Sequence, residues 1–243
     1  MKMLSFASRN IKEILRDPLN LCFGLGFPLI LIVLLSAIQA NIPVSLFEIA
    51  HLAPGVSVFG LSFMTLFSAV LISKDRSTSF LQRLYVTPLT ALDFILGYTL
   101  PILPIALGQS IVCYLVAFFF GLEPSWNILL ALLLILPISL LFVAFGLLFG
   151  SILNDKAVGG VCGALLTNLT AWLSGVWFDL ELVGGVFQKI AYALPFVHAV
   201  ELERAVLASD FGAILPHLAV VLLYATLSLV LAVILFVRQM KRG

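Results

Sequence analysis

The stretch SKDRSTSFLQRLYVTPLTALDFILG, residues Ser73–Gly97, decides the fold because it is the longest polar interruption between two apolar runs of membrane length. It carries three of the chain's basic residues, Lys74, Arg76 and Arg83. Within it, Ser79–Gln82 fits a capping box, in which a Ser hydroxyl and a Gln amide bond the free backbone amides at a helix start. The pattern predicts a short amphipathic helix on the water side of a membrane.

The end of this short helix and the start of the next one are both marked. Thr87-Pro88 ends the helix, because Pro disfavours α geometry in the residue before it. Thr90-Ala-Leu-Asp93 is a second capping box before an apolar run, so the next helix is predicted to start near Ala91. On the short helix, one face would carry Phe80, Leu81, Leu84 and Tyr85. An ordinary loop that rests on lipid head groups is the alternative that the residues leave open.

The composition is that of a membrane protein. Of the 243 residues, 62% are hydrophobic and 10% are charged, whereas a soluble domain has about 25% charged residues. So few charges could not cover a water-exposed surface, and a helix that crosses a bilayer needs about 20 apolar residues. The net charge of +1 predicts no nucleic-acid partner.

The apolar runs predict an all-α integral membrane protein with six transmembrane helices in a single domain, residues 1–243. We expect the spans at about residues 19–38, 55–72, 91–120, 127–149, 157–177 and 215–237. Residues 1–17 are too charged to cross lipid, yet they hold apolar side chains at helical spacing, namely Leu4, Ala7, Ile11, Ile14 and Leu15. These residues predict an amphipathic N-terminal helix in the membrane interface.

Residues 178–214 break the pattern of long apolar runs. They hold too many charges to cross lipid, because inserting a central Asp, Lys or Arg costs about 2.5–3.5 kcal/mol. The mostly apolar part, Val183–Val197, has the length of a re-entrant or interfacial helix. A second short helix near residues 198–207 would place Glu201 and Arg204 on one face, where they can form an ion pair. We therefore predict a re-entrant helical hairpin before the last span.

Basic residues are distributed unequally between the two sides that six spans define. Eleven fall on the side of the termini and of the loop 74–93, and only Lys189 and Arg204 fall on the other. The positive-inside rule then places both termini and this loop in the cytoplasm. The hairpin is accordingly predicted to be extracytoplasmic.

Polar side chains within the spans are few. Thr65 lies in the predicted second span, and Gln109 and Ser110 lie at mid-depth in the third. Such groups usually face the interior of a bundle. They could bond neighbouring helices or line a transport pathway, and the sequence leaves both roles open.

The sequence holds no pattern for catalysis or for binding a metal or nucleotide. It has neither a G-x-x-x-x-G-K-[ST] phosphate loop nor HExxH. Cys22, Cys113 and Cys162 lie far apart in apolar runs, without the spacing of a metal site. We predict that the chain binds no cofactor, so any ATP and Mg²⁺ would be held by another chain.

Two other functional classes are weaker alternatives. An intramembrane enzyme is suggested superficially by His198, Glu201, Glu203 and Arg204, but these cluster in one segment instead of converging from several helices. An ion-coupled secondary transporter would need a carboxylate at membrane depth. None of the predicted spans has an Asp or Glu at mid-depth.

Two stretches resemble the membrane subunit of type-two ABC exporters. The first runs from Asp75-Arg76 through FLQRLYVTP, residues 80–88, to Ile95-Leu-Gly97, and it is similar to the cytoplasmic signature of that family. The second combines LSGVWF, IAYALPF and ELER, at residues 173–178, 190–196 and 201–204, and it is similar to the family's outer hairpin. Tyr98 departs from the pattern, because the family often has Lys or Arg there. The resemblance covers nearly the whole chain.

The resemblance implies a permease subunit of an ATP-driven exporter in a bacterial inner membrane. Two such subunits, identical or different, would sit in membrane lipid and pair with two ABC ATPase subunits that bind ATP and Mg²⁺. A cytoplasmic coupling helix would contact the ATPase through Ser79, Phe80, Leu81, Gln82, Arg83, Leu84, Tyr85, Thr87 and Pro88. The implied cargo is a drug-like molecule, a peptide, a lipid or a glycan.

Overall fold

The computed structural model describes residues 2–43, 47–78 and 90–240, and this part of the chain consists of helices and turns without a β-strand. The first half contains α1 (Lys2–Leu15), α2 (Pro18–Leu21), a π-helical turn (Cys22–Gly26), α3 (Phe27–Gln39), α4 (Ile49–Ser77), α5 (Ala91–Thr99) and α6 (Ile102–Phe119). The second half contains α7 (Asn127–Ile152), α8 (Asp155–Val158), a π-helical segment (Gly159–Leu166), α9 (Thr167–Leu173), α10 (Leu180–Val183), α11 (Gly185–Ala193), α12 (Pro195–Leu207) and α13 (Phe211–Met240).

Five stretches of the described chain are long and apolar enough to cross a membrane, namely 22–39, 49–77, 92–119, 127–152 and 211–238. They correspond to predicted spans one to four and six, so the prediction of an all-α, multi-pass membrane protein is confirmed. The predicted fifth span coincides with α8, the π-helical segment and α9. This stretch begins with Asp155 and Lys156 and is not among the five. The count of six spans therefore stays a prediction.

Helix α4 forms the centre of the bundle. In its most apolar stretch of 18 residues, 89% of the stretch is buried. It packs closely on α7, where a Cβ on Gly150 would lie only 2.7 Å from the Ala69 carbonyl oxygen. One turn earlier, Gly146 lies against Ser68 in the same way. Small residues are the usual means of close helix packing in membranes. The two glycines of α7 therefore allow its backbone to approach α4 closely.

Prolines shape the helix boundaries, although not always as predicted. Pro101 separates α5 from α6 within predicted span three, because a proline inside a helix removes a backbone hydrogen bond. Pro54, in contrast, lies inside α4, which begins at Ile49 instead of near residue 55. Leu52 and Ala53 are buried there, so packing extends the helix to the N-terminal side of the proline. The predicted loop through residue 54 is therefore too long.

The segment before the last span forms three short helices, α10, α11 and α12, whereas two were predicted. Gly184 separates α10 from α11, and Gly185 is the first residue of α11. Their φ angles are +62° and +58°, a left-handed backbone that glycine adopts without a Cβ clash. Pro195 then begins α12. The last long helix starts at Phe211, earlier than predicted, and includes Pro216.

The two ends of the bundle differ in charge. The end that gathers α1, the C-terminal ends of α4 and α7, and the start of α5 is called the basic end. It carries most of the basic side chains that the structure describes, namely Arg9, Lys12, Arg16, Lys74, Arg76, Lys156 and Arg238. The opposite end, the hairpin end, holds α10–α12 and, among the described basic side chains, Lys189 and Arg204. Which compartment each end faces stays a prediction.

Candidate coupling site

The predicted contact residues Ser79–Tyr85, Thr87 and Pro88 lie outside the described part of the chain. Their role therefore stays a prediction. The described residues on either side, Thr78 and Thr90, show where the segment joins the bundle: at the C-terminal end of α4 and at the start of α5. The described part of the candidate coupling site consists of the side chains that hold these two helix ends.

The start of α5 is fixed by the capping box predicted from the sequence. The Thr90 hydroxyl accepts a hydrogen bond of 3.2 Å from the backbone N–H of Asp93. In return, the Asp93 carboxylate accepts one of 3.0 Å from the backbone N–H of Thr90. The two bonds satisfy amides that have no partner within the helix, so α5 has a defined first residue next to the coupling segment.

The Asp75 carboxylate joins three helices at the basic end. Asp75 lies in the last turns of α4 and is only 2% exposed. Its Oδ2 accepts hydrogen bonds of 2.7 Å from the Arg9 guanidinium on α1 and of 2.7 Å from the Tyr98 hydroxyl on α5. Hydrogen bonds to an ionised acceptor are about twice as strong as neutral ones. The carboxylate therefore ties α1 to both helices that flank the coupling segment.

A second set of contacts holds α1 against α5. Asn10 is fully buried, and its Nδ2 donates a hydrogen bond of 2.9 Å to the Gly97 carbonyl. Because Gly97 has no side chain, the Phe6 ring packs directly on it. Phe6 also packs edge-on against Tyr98, with ring centroids 4.9 Å apart. Edge-to-face aromatic pairs of this kind stabilise a contact beyond their buried area.

These contacts modify the predicted face of α1. Ala7 and Ile14, which belong to the predicted apolar face, are buried against the bundle. Leu4 and Leu15 belong to the same predicted face but are 62% and 59% exposed. The buried stripe follows the contacts with α4 and α5 instead, and long-range packing of this kind is not visible in the periodicity of one short helix.

Arg76 connects the end of α4 to the end of α7. Its guanidinium donates hydrogen bonds of 2.9 Å and 3.0 Å to the carbonyls of Gly150 and Leu153, which are among the carbonyls that a helix end leaves without partners. The Ser77 hydroxyl donates to Asp155 at 3.2 Å. A groove of about 490 Å³ lies beside these residues, lined by Ser73, Arg76, Ser77, Leu153, Asn154, Asp155 and Lys156.

At the hairpin end, Glu201 and Arg204 form an ion pair with an N–O distance of 2.9 Å. The pair was predicted from their spacing, but Arg204 has further partners that the sequence did not indicate. Its guanidinium donates to the Gly175 carbonyl at 2.9 Å and to the His51 carbonyl at 3.4 Å. Arg204 therefore connects α12 with the start of α4 and with the turn after α9.

The proposed pathway residues Thr65, Gln109 and Ser110 are all buried between helices. Thr65 donates a hydrogen bond of 2.8 Å to the Phe142 carbonyl, and Gln109 donates one of 3.3 Å to the Ser57 carbonyl. Within the described structure, the Gln109 Oε1 and the Ser110 hydroxyl have no hydrogen-bond partner. In this arrangement the residues contribute to helix packing, and their part in a pathway stays a prediction.

Two histidines that are distant in sequence meet at the hairpin end. The Nδ1 atoms of His198 on α12 and His217 on α13 lie 2.8 Å apart, and His198 Nε2 lies 3.0 Å from the Tyr192 carbonyl. If His198 donates to that carbonyl, its Nδ1 accepts a hydrogen bond from His217. The pair links α12 to the last long helix, a contact that the sequence did not predict.

The fold and these contacts define a multi-pass helical membrane protein in which an N-terminal helix joins the two helix ends on either side of residues 79–89. The chain matches the family model of the ABC-2 type transporter over residues 2–208, and it belongs to that family. Family membership identifies it as the membrane subunit of an ABC transporter, a transport subunit that works with ABC ATPases. The resemblance noted from the sequence is thereby confirmed.

One relative is Nodulation protein J of Sinorhizobium fredii (strain NBRC 101917 / NGR234). It is 25% identical to this chain over 227 residues, which cover 93% of this chain and 85% of the relative. No solved structure matches the chain significantly.

Proposed function

We propose that this chain is the permease subunit of an ATP-driven exporter, and that residues 79–88 dock on a separate ABC ATPase. The ATPase would bind ATP and Mg²⁺, and this chain would bind no cofactor. The observation that carries the proposal is the convergence of α1, α4 and α5 on Asp75, directly beside that segment, in a chain of the ABC-2 family.

The packing around Tyr98 supports a route for the transmitted movement. Tyr98 packs edge-on against Phe94, with ring centroids 4.9 Å apart, and Phe94 stacks on Phe236 of α13 at 3.6 Å. Packed interiors have low compressibility and transmit strain. A displacement of residues 79–88 would therefore move α4, α5 and α13 together, because the contacts at the basic end connect all three helices.

Two permease subunits, identical or different, would form the transport path within membrane lipid. Large apolar side chains are exposed along the long helices, for example Val33 on α3, Leu115 on α6 and Leu223 on α13. Apolar surface of this extent is typical of contact with lipid or with another subunit. The cargo would be a drug-like molecule, a peptide, a lipid or a glycan, and Thr65, Gln109 and Ser110 would reach it when the helices separate.

The basic end would face the cytoplasm of a bacterial cell, with the protein in the inner membrane. The excess of basic side chains at this end supports that orientation. It would place both termini and the coupling segment on the side where the ATPase has access to ATP, and the hairpin end would face outward.

Co-purification tests the docking role of residues 79–88. The chain is co-expressed with an ABC ATPase from the same organism and isolated in detergent, as wild type and as the variants Leu84→Asp and Tyr85→Asp. We expect both variants to lose the ATPase or to hydrolyse ATP without export, because a charge on the apolar face opposes docking. Leu182→Asp is the matched control, since Leu182 lies at the hairpin end and is 79% exposed. Unchanged ATPase binding and export in both variants would contradict the proposal.

A further inference from the structure

Glu203 on α12 is a carboxyl group buried within the bundle. Its side chain has 0% exposure. Its Oε2 lies 2.7 Å from the hydroxyl of Tyr114 on α6, and Tyr114 is only 1% exposed. The other oxygen, Oε1, has no hydrogen-bond partner in the described part of the structure. A buried polar atom without a partner is rare in native structures and needs an explanation.

The surroundings of this carboxyl group are apolar. Tyr114 belongs to a small buried cluster with residues of α4, α6, α7, α12 and the connection after α6, namely Ala53, Ala117, Leu122, Ile128, Ala131 and Val206. Val206 lies one turn beyond Glu203 on α12. In the described part of the structure, the Tyr114 hydroxyl is the hydrogen-bond partner of this carboxyl group, and it contacts Oε2 alone.

Nearby charged groups have other partners or lie at the surface. Arg204, the next residue on α12, pairs with Glu201 and with backbone carbonyls. On α4, the side chain of His51 is exposed, and on α11, Lys189 is exposed. On α13, His217 bonds to His198.

The other titratable groups on the neighbouring helices are also exposed or have partners of their own. Cys113, beside Tyr114 on α6, is buried, and its Sγ accepts a hydrogen bond of 3.3 Å from Gln109 Nε2. Asp210 lies on the exposed turn before α13, and the Tyr224 hydroxyl donates to the Ala193 carbonyl at 2.6 Å. Tyr192 on α11 is exposed. The sequences of α7 and α9, which also pack against α12, contain no titratable side chain. No cation among the described residues therefore balances a negative charge on Glu203.

An uncompensated carboxylate in such a place is costly, and a carboxyl group avoids that cost by binding a proton. Burial raises the pKa of Glu203 from 4.5 to about 8, although the hydrogen bond from Tyr114 opposes the shift. The proton would lie on Oε1 while Tyr114 donates to Oε2, or it would lie on Oε2 and be donated to the Tyr114 oxygen.

We propose that Glu203 is a proton-binding site that empties when the hairpin end opens. The carboxyl group holds a proton while α12 lies against α6. When this contact opens and water reaches the group, the O–H bond breaks, the electron pair stays on the carboxylate, and the proton passes to water at the hairpin end. Closure rebinds one proton. The inference rests on the proposed function in one respect, since an exporter must open at the end where its cargo leaves.

The sign of the pH dependence follows from the raised pKa. Below pH 4.5 the carboxyl group is protonated in both states, and the pH then has no effect on the equilibrium. Between 4.5 and about 8 the closed state binds the extra proton, so a rise of one pH unit multiplies the ratio of open to closed molecules by up to about ten. The closed state is thus favoured at low pH and loses this advantage as the pH rises through about 8.

Infrared spectroscopy of the purified permease tests the site without any ATPase. A protonated carboxylic acid has a C=O stretching band that a carboxylate lacks. At about pH 7 we expect this band in the wild type and its absence in Glu203→Gln. The matched control Glu181→Gln, at an exposed position of the same hairpin, should keep the band. Tyr114→Phe should also keep the band and should lose it at a higher pH than the wild type does, because the hydrogen bond from Tyr114 lowers the pKa of Glu203.

Spin labels test whether opening empties the site. The labels are attached to cysteines that replace Phe119, the last residue of α6, and Leu182 on α10. These two residues are 88% and 79% exposed. Cys22 is replaced because it is exposed and would also take up the label. Cys113 and Cys162 are kept because they are buried. We expect a longer distance to gain population as the pH rises in the wild type and to be independent of pH in Glu203→Gln. Absence of the infrared band at neutral pH, or distances that do not respond to pH in the wild type, would overturn the proposal. Neither result would affect the docking of residues 79–88.

Discussion

The Arg9 guanidinium and the Asp75 carboxylate lie 2.7 Å apart although 66 positions separate the two residues in the sequence. The contact brings an N-terminal helix that is too charged to cross lipid onto the end of the most buried helix of the bundle. It lies immediately before residues 79–88, through which we propose the ATPase acts. Helix α1 therefore contacts more than lipid, because it holds the helix ends that flank the proposed docking segment.

Arg9→Ala should destabilise the basic end and weaken coupling. A hydrogen bond to a charged group contributes about 1.5–3 kcal/mol. Arg9 is 38% exposed on its side chain, so solvent screening reduces the expected loss of unfolding free energy to about 1 kcal/mol. The measurements are thermal unfolding of the permease and export per ATP hydrolysed by the complex. Arg16→Ala, at an exposed position of the same basic end, should leave both values unchanged. Equal effects of the two variants would show that the contact with Asp75 has no special role.

The packing of α4 on α7 predicts a large effect of one methyl group. In Gly150→Ala the new Cβ would meet the backbone of Ala69 at 2.7–2.8 Å, so the helices must move apart. Overpacking of this kind costs about 1–3 kcal/mol. Gly108→Ala in α6 is the control, because no atom lies within 4 Å of its added Cβ, and Ala in place of Gly in a helix gains about 0.5–1 kcal/mol. The denaturant concentration at the midpoint of unfolding should therefore fall for Gly150→Ala and rise for Gly108→Ala. A shift in the same direction for both variants would contradict the packing described.

Features that depend on local chemistry were predictable from the sequence, and those that depend on distant contacts were not. The Thr90 capping box and the break at Pro101 each follow from a few adjacent residues, and both are present. In the sequence, Tyr98 stands out only as a departure from the family pattern. Its bond to Asp75 spans 23 positions, and no local periodicity signals such a contact.

The hairpin shows the same limit more clearly. Its charges predict a segment that differs from the spans, and the spacing of Glu201 and Arg204 predicts the ion pair that is present. Nothing in the sequence, however, distinguished Glu203, which is fully buried, from Glu201, which keeps 33% of its side chain exposed. The faces of a short helix are set by what packs on each side, and the partners here come from α4, α6, α7 and α13.

Charge reversal at Arg204 should destabilise the protein more than charge reversal at Glu201. Glu201→Arg removes a partly exposed ion pair and should cost about 0.2–1 kcal/mol plus the repulsion from Arg204. Arg204→Glu also removes the donor to the Gly175 carbonyl at 2.9 Å, and a buried acceptor left without a partner costs about 1–3 kcal/mol more. The double reversal should therefore recover stability relative to Arg204→Glu without reaching the wild type. Thermal unfolding of the four proteins measures this, and no recovery at all would contradict the ion pair.

Labelling of single cysteines should decide which compartment each end faces. In a Cys22→Ser background, Cys113 and Cys162 are buried and should not react. Leu15→Cys then marks the basic end and Trp126→Cys the hairpin end, at positions that are 59% and 85% exposed. We expect a membrane-impermeant maleimide to label Trp126→Cys in intact cells and to label Leu15→Cys only after the inner membrane is opened, because basic residues are retained on the cytoplasmic side. Labelling of Leu15→Cys in intact cells would reverse the orientation, and the coupling segment would then lie where no cytoplasmic ATPase could reach it.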